Sequence, residues 1–426
     1  MAHIVARSAY ERLTERINRF PQGAPPSQLL SRILEVLFDR KEAELVSQLP
    51  VRPFTVKRAA GIWHLSENET RKRLDQLADK ALLVDFEINA QMHYVLPPPM
   101  AGFFEFSMMR IRADMNQKLL AELLYQYLNQ EEDFIRALFT DGRTQLGRAF
   151  VNETVLSPVN ALHVLDWERA SDVIRNASHR GISMCYCRHK MMHMDKACTA
   201  PIDICMTFNS TAESLIRHGH ARRAEVSEAL ETLAMAREKN LVQFGENVRQ
   251  GVNFICNCCG CCCEAMIAAR RFGLMHPIHT TNFLPCIEKK TCSGCGKCVA
   301  LCPVEAMILV SANEPRHPRR KIAKVDENRC LGCGVCLQAC TETRSLSLHQ
   351  RPKRVLTPLN STHRAVLMAV ERGKLQNLLL DNHVLWYHRA LAAVLGVILR
   401  LPPVARAMAT DQVKSRYLEA LALRFS

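Results

Sequence analysis

Cysteines are the residues of this chain best suited to chemistry, and eight of its 19 form two copies of one unit. Their positions are Cys292, Cys295, Cys298 and Cys302 in the first copy, and Cys330, Cys333, Cys336 and Cys340 in the second. The shared spacing C-x2-C-x2-C-x3-C is the ligand pattern of proteins that carry two 4Fe-4S clusters. We therefore predict two such clusters and transfer of single electrons.

The spacing also predicts how the two copies share their clusters. Three cysteines from one short loop can surround one face of a cube, whereas the fourth lies beyond that loop's reach and in such proteins binds the other cluster. The predicted ligands are Cys292, Cys295, Cys298 and Cys340 for one cluster, and Cys330, Cys333, Cys336 and Cys302 for the other.

Zinc and disulfide bonds are the alternative uses of such cysteines. Zinc sites usually separate two C-x2-C pairs by a spacer, so the C-x2-C-x2-C triplet suits zinc poorly. Charged residues, among them Arg7, Glu11 and Arg12, interrupt any apolar run at the start of the chain and argue against a secretory signal. A reducing, cytoplasmic location is therefore expected, where clustered cysteines favour metal binding.

A second group of cysteines precedes these repeats. It comprises Cys185, Cys187, Cys198 and Cys205, followed by the run Cys256, Cys258, Cys259, Cys261, Cys262 and Cys263. Neighbouring side chains of an extended chain point to opposite faces, so the run either serves more than one metal centre or leaves some thiols unused. We predict that a subset of these ten cysteines, not fixed by the spacing, forms one or two further iron–sulfur centres.

Other chemistry remains open in this second group. His189 and His193 lie between the cysteines and could provide mixed ligands, although four cysteines already satisfy a cube. A disulfide or persulfide relay within the run is the competing redox chemistry. Cys286 stands alone and is expected to be a packed thiol.

The remaining sequence predicts a mixed α+β fold in which helices surround the cysteine-bearing segments. Apolar residues follow a helical spacing over 27–49, Ser66-x-x-Glu69 is a capping box for a helix over 67–80, and two strands follow over 82–88 and 92–96. This order is typical of a winged helix-turn-helix.

We predict four regions. They are a winged-helix-like domain over 1–100, a mainly helical cysteine-rich domain over 101–281, a domain with two 4Fe-4S clusters over 282–352, and a basic helical extension over 353–426.

The charge pattern bears on possible partners. The formal net charge of +14 suits docking to acidic proteins or to a membrane surface. The positive charges of the 67–80 helix are matched by negative ones, so it has no excess charge to neutralise phosphates and nucleic acid is not an expected partner. In the extension, the uncharged part of the apolar 385–401 helix, Ala390 to Leu399, is much shorter than the roughly twenty residues of a membrane span. We expect no span, with peripheral membrane contact as an alternative to packing.

Taken together, these parts resemble a widespread group of prokaryotic cytoplasmic iron–sulfur proteins described as 4Fe-4S dicluster ferredoxin domain proteins. The resemblance spans roughly residues 28–350 and is carried by the 97–106 stretch, the Cys185-x-Cys187-Arg188 segment, the cysteine run and the paired repeat. It implies metal-binding roles for the eight repeat cysteines and for the ten upstream ones. Thr341 departs from the proline that often follows the fourth cysteine, and the tail after 355 has no counterpart.

The predicted function is therefore electron transfer through two 4Fe-4S clusters, and further centres, to or from an unidentified partner oxidoreductase. One alternative is an iron–sulfur DNA-binding regulator that senses redox state through its cysteines. Another is an oxidoreductase with its own substrate site near residues 256–263. The sequence has no G-x-G-x-x-G after a strand and no G-x4-G-K-[ST], so nicotinamide, flavin or ATP sites of those kinds are not expected.

Overall fold

The computed structural model describes residues 8–139, 142–272, 278–352, 355 and 357–400. The chain begins with helices and a small antiparallel sheet. The helices are α1 (Ala9–Arg19), α2 (Gln28–Leu37), α3 (Arg40–Gln48), α4 (Val56–Trp63) and α5 (Glu67–Asp79). The strands are β1 (Phe54–Thr55), β2 (Val84–Ile88) and β3 (Gln91–Val95), in the order β1–β3–β2.

Local sequence explains where these helices begin and end. The Ser66 hydroxyl accepts a hydrogen bond from the backbone N–H of Glu69, so α5 begins at the predicted capping box. The helical spacing over 27–49 corresponds to two helices rather than one. The backbone is extended at Phe38 and Asp39, and the Asp39 side chain caps the second helix.

The middle region contains many short helices and a sheet. The helices are α6 (Phe104–Phe106), α7 (Gln117–Tyr125), α8 (Asp133–Phe139), α9 (Pro158–Ala161), α10 (Ala170–Asn176), α11 (Tyr186–His193), α12 (Asn209–Arg217), α13 (Val226–Glu238) and α14 (Glu264–Phe272). The strands are β4 (Gly147–Ala149), β5 (Arg180–Met184), β6 (Asp203–Phe208), β7 (Arg222–Arg223), β8 (Val242–Glu246) and β9 (Phe254–Cys258).

These six strands form one sheet in the order β4–β8–β9–β6–β5–β7, with every neighbouring pair antiparallel. The prediction of a mainly helical region over 101–281 missed this sheet. Its strands are buried on both faces along much of their length, so they lack the alternation of apolar and polar residues that predicts a strand. The mixed α+β class itself is confirmed.

The last described part holds two antiparallel strand pairs and five helices. The strands are β10 (Phe283–Ile287), β11 (Met307–Ser311), β12 (Lys321–Val325) and β13 (Leu346–Gln350), paired as β10–β13 and β11–β12. The helices are α15 (Lys297–Leu301), α16 (Val335–Gln338), α17 (Ser361–Glu371), α18 (Leu375–Leu379) and α19 (Trp386–Arg400). The rest of the predicted extension, from residue 401, lies outside the described residues. None of the described helices is long and apolar enough to cross a bilayer.

A histidine between two carboxylates joins the N-terminal region to the large sheet. His218, which ends α12, lies with Nδ1 2.6 Å from Asp79 Oδ1 and Nε2 3.2 Å from Asp85 Oδ1. Burial alone would lower the pKa of His218, but the hydrogen bonds with both carboxylates raise it above its usual value. Burial would raise the pKa of Asp85, but its hydrogen bonds with His218 and Ser214 lower it to about 2.

This contact predicts a pH-dependent stability. Because the folded pKa of His218 is raised, its contribution is complete below the unfolded pKa of about 6.5 and is lost as pH rises through the folded value. The contribution of Asp85 is lost only at much lower pH, as pH falls through about 2. His218→Gln should therefore lower the unfolding free energy more at about pH 6 than at about pH 9. Anaerobic urea unfolding measures this, with the exposed His317→Gln as control; an equal loss at both pH values would contradict it.

Candidate metal centres

The structure brings the eight repeat cysteines together in two groups. Four of them line one small cavity: Cys292, Cys295, Cys298 and Cys340. In the other group Cys336 interacts electrostatically with Cys333, Cys330 and Cys302. Burial, followed by these neighbouring thiolates, raises the pKa of Cys336 well above its usual value. The fourth cysteine of each copy thus lies with the first three of the other copy, as the spacing predicts.

Backbone amides support the sulfurs of both groups. In the group of Cys336, Ala306 N–H donates to Cys302 Sγ at 3.2 Å and Gly332 N–H donates to Cys330 Sγ at 3.4 Å. In the other group, Ala323 N–H donates to Cys292 Sγ at 3.5 Å. Gly332 has a φ of +70°, and a Cβ there would lie 2.1 Å from the carbonyl oxygen of Phe283. Only glycine lets the loop pass this close to the backbone of β10. Such hydrogen bonds to sulfur set the potential of a bound cluster.

The ten upstream cysteines separate into a set of four and a set of six. The set of four, which we call the compact set, is Cys198, Cys259, Cys261 and Cys262, whose sulfurs all lie within 4.8 Å of one another. Cys198 Sγ is 3.6 Å from Cys259 Sγ and 3.8 Å from Cys262 Sγ. A tetrahedral ion with metal–sulfur bonds of about 2.3 Å separates its sulfurs by about 3.8 Å. A 4Fe-4S cube holds its cysteine sulfurs farther apart than this, so the compact set has the spacing of a site for one tetrahedral ion.

The other six cysteines form a closed ring, which we call the sulfur ring. In order around the ring they are Cys185, Cys187, Cys263, Cys258, Cys256 and Cys205, each in side-chain contact with the next. Within the described part of the chain, the compact set is the one group of three or more potential ligands with all atoms inside 4.8 Å. The sulfur ring is therefore wider than a site for a single ion.

The thiols of the sulfur ring alternate in pKa. Hydrogen bonds from ring neighbours lower the pKa of Cys256 and Cys263 to about 5 and that of Cys185 well below its usual value. The three cysteines between them, Cys187, Cys205 and Cys258, have raised pKa values, because hydrogen bonding with the neighbouring cysteines and burial both favour the protonated thiol. Metal binding needs thiolates, so loading the ring must release protons.

Pairing within the large sheet assembles this ring. Cys256 and Cys258 are two residues apart on β9 and so point to the same face. Met206 of β6 pairs with Ile255 of β9, a register that places Cys205 across from Cys256. Cys185 follows β5 directly, at the start of α11. The ring is thus built from β6, β9, the end of β5 with the helix α11 that follows it, and the segment before α14, which carries Cys263.

A buried arginine lies between the sulfur ring and the compact set. Arg188 is 1% exposed and donates to the carbonyl oxygens of Pro201 and Asn257 at 3.0 and 2.9 Å. Burial would lower the pKa of Arg188, but the charge of Cys185 and Cys259 raises it above its usual value. Its positive charge therefore offsets the negative charge of thiolates in both sets.

A buried ion pair joins α11 to the start of α14, the helix that follows the cysteine run. Lys190 of α11 contacts Glu264, which follows Cys263, and the two side chains are 0% and 4% exposed. Asn129 donates to the second carboxylate oxygen of Glu264 at 2.7 Å. Burial raises the pKa of Glu264 above its usual value, although Lys190 acts in the opposite direction.

His189, His193 and Cys286 lie apart from the two sets of upstream cysteines. His189 Nδ1 lies 2.7 Å from the carbonyl oxygen of Met108, so this nitrogen is engaged away from the cysteines. Burial and the neighbouring His189 lower the pKa of His193. Cys286 is exposed on β10, opposite Ser347, so the expectation of a packed thiol was wrong. None of the three joins the sulfur ring or the compact set.

Sequence reasoning missed two polar residues near the sulfur ring. Glu105 and Tyr186 line the same cavity as the ring cysteines. Burial raises the pKa of Glu105 to about 8, although the backbone amides of Ala101 and Gly102 donate to it and lower it. Tyr186 lies between two cysteines in the sequence, a position that could have drawn attention to it.

The cluster-binding repeat touches the upstream cysteine run directly. A Cβ on Gly260 would lie 2.7 Å from the carbonyl oxygen of Pro303, the residue after Cys302. Arg270 of α14 also pairs with Glu305 at 3.1 Å. A side chain at position 260 would therefore force the two cysteine-bearing segments apart.

Comparison with known proteins agrees with this geometry at the repeat. Searches of curated proteins and of solved structures found no significant match. Residues 291–343 match the family described as 4Fe-4S dicluster domain. The chain is therefore an iron–sulfur protein with a dicluster domain.

Proposed function

We propose that this protein transfers single electrons between a partner oxidoreductase and the centres of its upstream cysteines, with the two 4Fe-4S clusters as the internal relay. The contact between Gly260 and Pro303 carries this proposal, because it places the cysteine run beside Cys302, a ligand of the second cluster. Thiolate-bound iron–sulfur clusters of this type perform electron transfer.

Burial supports an order for the relay. Cys295 of the first cluster is exposed, whereas Cys330 and Cys336 of the second are buried. The first cluster therefore lies nearer the solvent and the second nearer the cysteine run. Electrons exchanged with a partner pass first through the cluster of Cys295 and then through the cluster that includes Cys302.

Charge around the first cluster supports a partner of opposite sign. Exposed lysines lie close to its ligands. Lys289, Lys290 and Lys297 are near them in the sequence, and the backbone of Lys321 lies against Gly294 of the ligand loop. Lys297 pairs with Glu342, which leaves the positive charges in excess around this loop. Such a surface guides an acidic redox protein to the exposed cluster and makes the association rate sensitive to salt. The α5 helix gives no such support to the DNA-binding alternative. Its Arg73 pairs with Glu69 at 2.8 Å, so the positive charge of Arg73 is already neutralised within the helix.

The relay predicts the iron content and spectrum of the intact protein. Anaerobically purified full-length chain should contain at least about eight iron atoms and give the spectrum of magnetically coupled 4Fe-4S centres on reduction. About four or fewer iron atoms in fully reconstituted protein would overturn it. A shift of a promoter fragment at low salt would favour the regulator instead.

The Gly260 contact gives a sharper test. Gly260→Ala should slow electron transfer from the dicluster domain to the upstream centres several-fold, because its Cβ collides with the Pro303 backbone. Reduction of the two repeat clusters themselves should be unchanged. Freeze-quench electron paramagnetic resonance resolves these steps. Gly61→Ala is the matched control, since nothing lies within 4 Å of a Cβ there. Equal rates in Gly260→Ala and wild type would contradict this route.

A further inference from the structure

We propose that the sulfur ring holds one iron–sulfur cluster of more than four iron atoms, and that the cavity above it binds a small, mostly apolar molecule carrying a hydrogen-bond acceptor. That this cluster receives its electrons from the two repeat clusters rests on the proposed function. The identity of the cluster and the existence of the binding site do not depend on it.

The number and arrangement of the thiols exclude simpler cofactors. A cube takes four thiolates, one for each iron, so it would leave two adjacent ring thiols without metal. A single tetrahedral ion needs sulfurs closer together than the ring provides. All six ring cysteines line the same cavity, so all six are placed to bind one cluster. A larger cluster bound by all six matches this donor set.

The cavity distinguishes the sulfur ring from the compact set. It has a volume of about 370 Å³, and every ring cysteine lines it. Of the compact set, only Cys259 and Cys262 reach it, whereas Cys198 and Cys261 do not. The sulfur ring is therefore the centre that a bound molecule can approach. Because the cluster would occupy part of this volume, the ligand must be small.

The opposite walls come mainly from apolar side chains of the N-terminal region and the sheet. They include Phe86, Met100, Phe106, Met109, Phe244 and Phe254. Such walls favour an apolar ligand and keep water from the metal centre. The cavity is therefore poorly suited to phosphorylated or multiply charged molecules.

Two hydroxyl groups in the wall indicate that the ligand also carries an acceptor. Among the described residues, Tyr186 Oη and Thr207 Oγ1 are buried and have no hydrogen-bond partner. Both residues line the cavity, and they are only 3% exposed. An unpartnered buried hydroxyl is costly, so a ligand oxygen that accepts from Tyr186 would relieve this cost.

The cofactor is tested by removing ligands from each set in the full-length protein. Cys205→Ala/Cys258→Ala should lower the iron content by more than about four atoms per chain, whereas Cys198→Ala/Cys261→Ala should lower it by at most about four. The spectrum of the two repeat clusters reports whether each variant is folded. A loss of about four or fewer iron atoms from the ring variant, with the repeat clusters intact, would overturn the larger cluster.

The binding site is tested with 2-cyclohexenone, an apolar ring with one carbonyl acceptor. Adding it to reduced wild-type protein should shift the spectrum of the ring centre and leave the repeat clusters unchanged. Tyr186→Phe should weaken this effect by about three- to tenfold, the value of one hydrogen bond. Tyr127→Phe is the control, because its buried hydroxyl donates to Pro25 away from the cavity. No shift in wild type, or equal affinity in Tyr186→Phe, would overturn the ligand assignment. These results are independent of the Gly260→Ala rates, which test the relay.

Discussion

Replacing Cys340 by alanine is expected to remove the cluster whose other ligands lie in the first copy of the repeat. Cys340 belongs to the second copy of the repeat, but it lines the same cavity as Cys292, Cys295 and Cys298 of the first copy. Loss of one of four thiolates leaves an iron atom without its protein ligand. The expected result is loss of up to about four iron atoms per chain, or conversion of that cluster to a form with fewer irons.

Electron paramagnetic resonance of the reduced Cys340→Ala variant shows which of the two repeat clusters is lost. The magnetic coupling between the two repeat clusters should disappear, and the remaining spectrum should belong to the more buried cluster. Cys286→Ala is the matched control, because this exposed cysteine lies outside both groups. Retention of the first cluster and loss of the second would show that ligands do not cross between the copies.

Replacing Lys190 by methionine is expected to destabilise the protein by about 3–5 kcal/mol, the usual effect of removing one partner from a buried ion pair. Lys190 and Glu264 are almost fully buried, so the remaining carboxylate would have neither water nor a cation beside it. Glu264 directly follows Cys263, so the loss should also reduce iron binding at the sulfur ring. Anaerobic denaturant unfolding and iron analysis measure both effects.

Two further variants define this prediction. Lys118→Met removes an exposed lysine and should change the unfolding free energy little. The double variant Lys190→Met/Glu264→Gln should recover part of the lost stability, because no unpaired charge remains. If Lys190→Met were as stable as Lys118→Met, the ion pair would not hold α11 to the cysteine run.

The dicluster domain was predictable from the sequence, because three of the four cysteines expected to bind each cluster lie within seven residues of one another. The upstream cysteines carry less information locally. Whether Cys259 joins Cys198 or Cys205 depends on the register between β6 and β9, and that register involves residues far apart in the chain. The repeated Cys-x-Cys at 256 and 258 was the one local sign of a shared face.

The N-terminal helices were predictable for a related reason. Ser66 and Glu69 specify the start of α5 through contacts within four residues. The large sheet was not predictable in this way, since strands such as β6 and β8 are covered on both faces and lose their alternation. The cavity could not be predicted either. It forms where Phe86 of the N-terminal hairpin meets Tyr186 and the cysteines.

Cys258, Cys263 and Cys330 belong to the same buried core as Leu34 and Phe104. These buried cysteines are thus held by the packing that holds the whole protein together, and exposing them requires breaking much of that packing. We therefore expect metal delivery to accompany folding of the newly made chain. A centre destroyed by oxygen would then be renewed by synthesis of a new molecule rather than by repair in place.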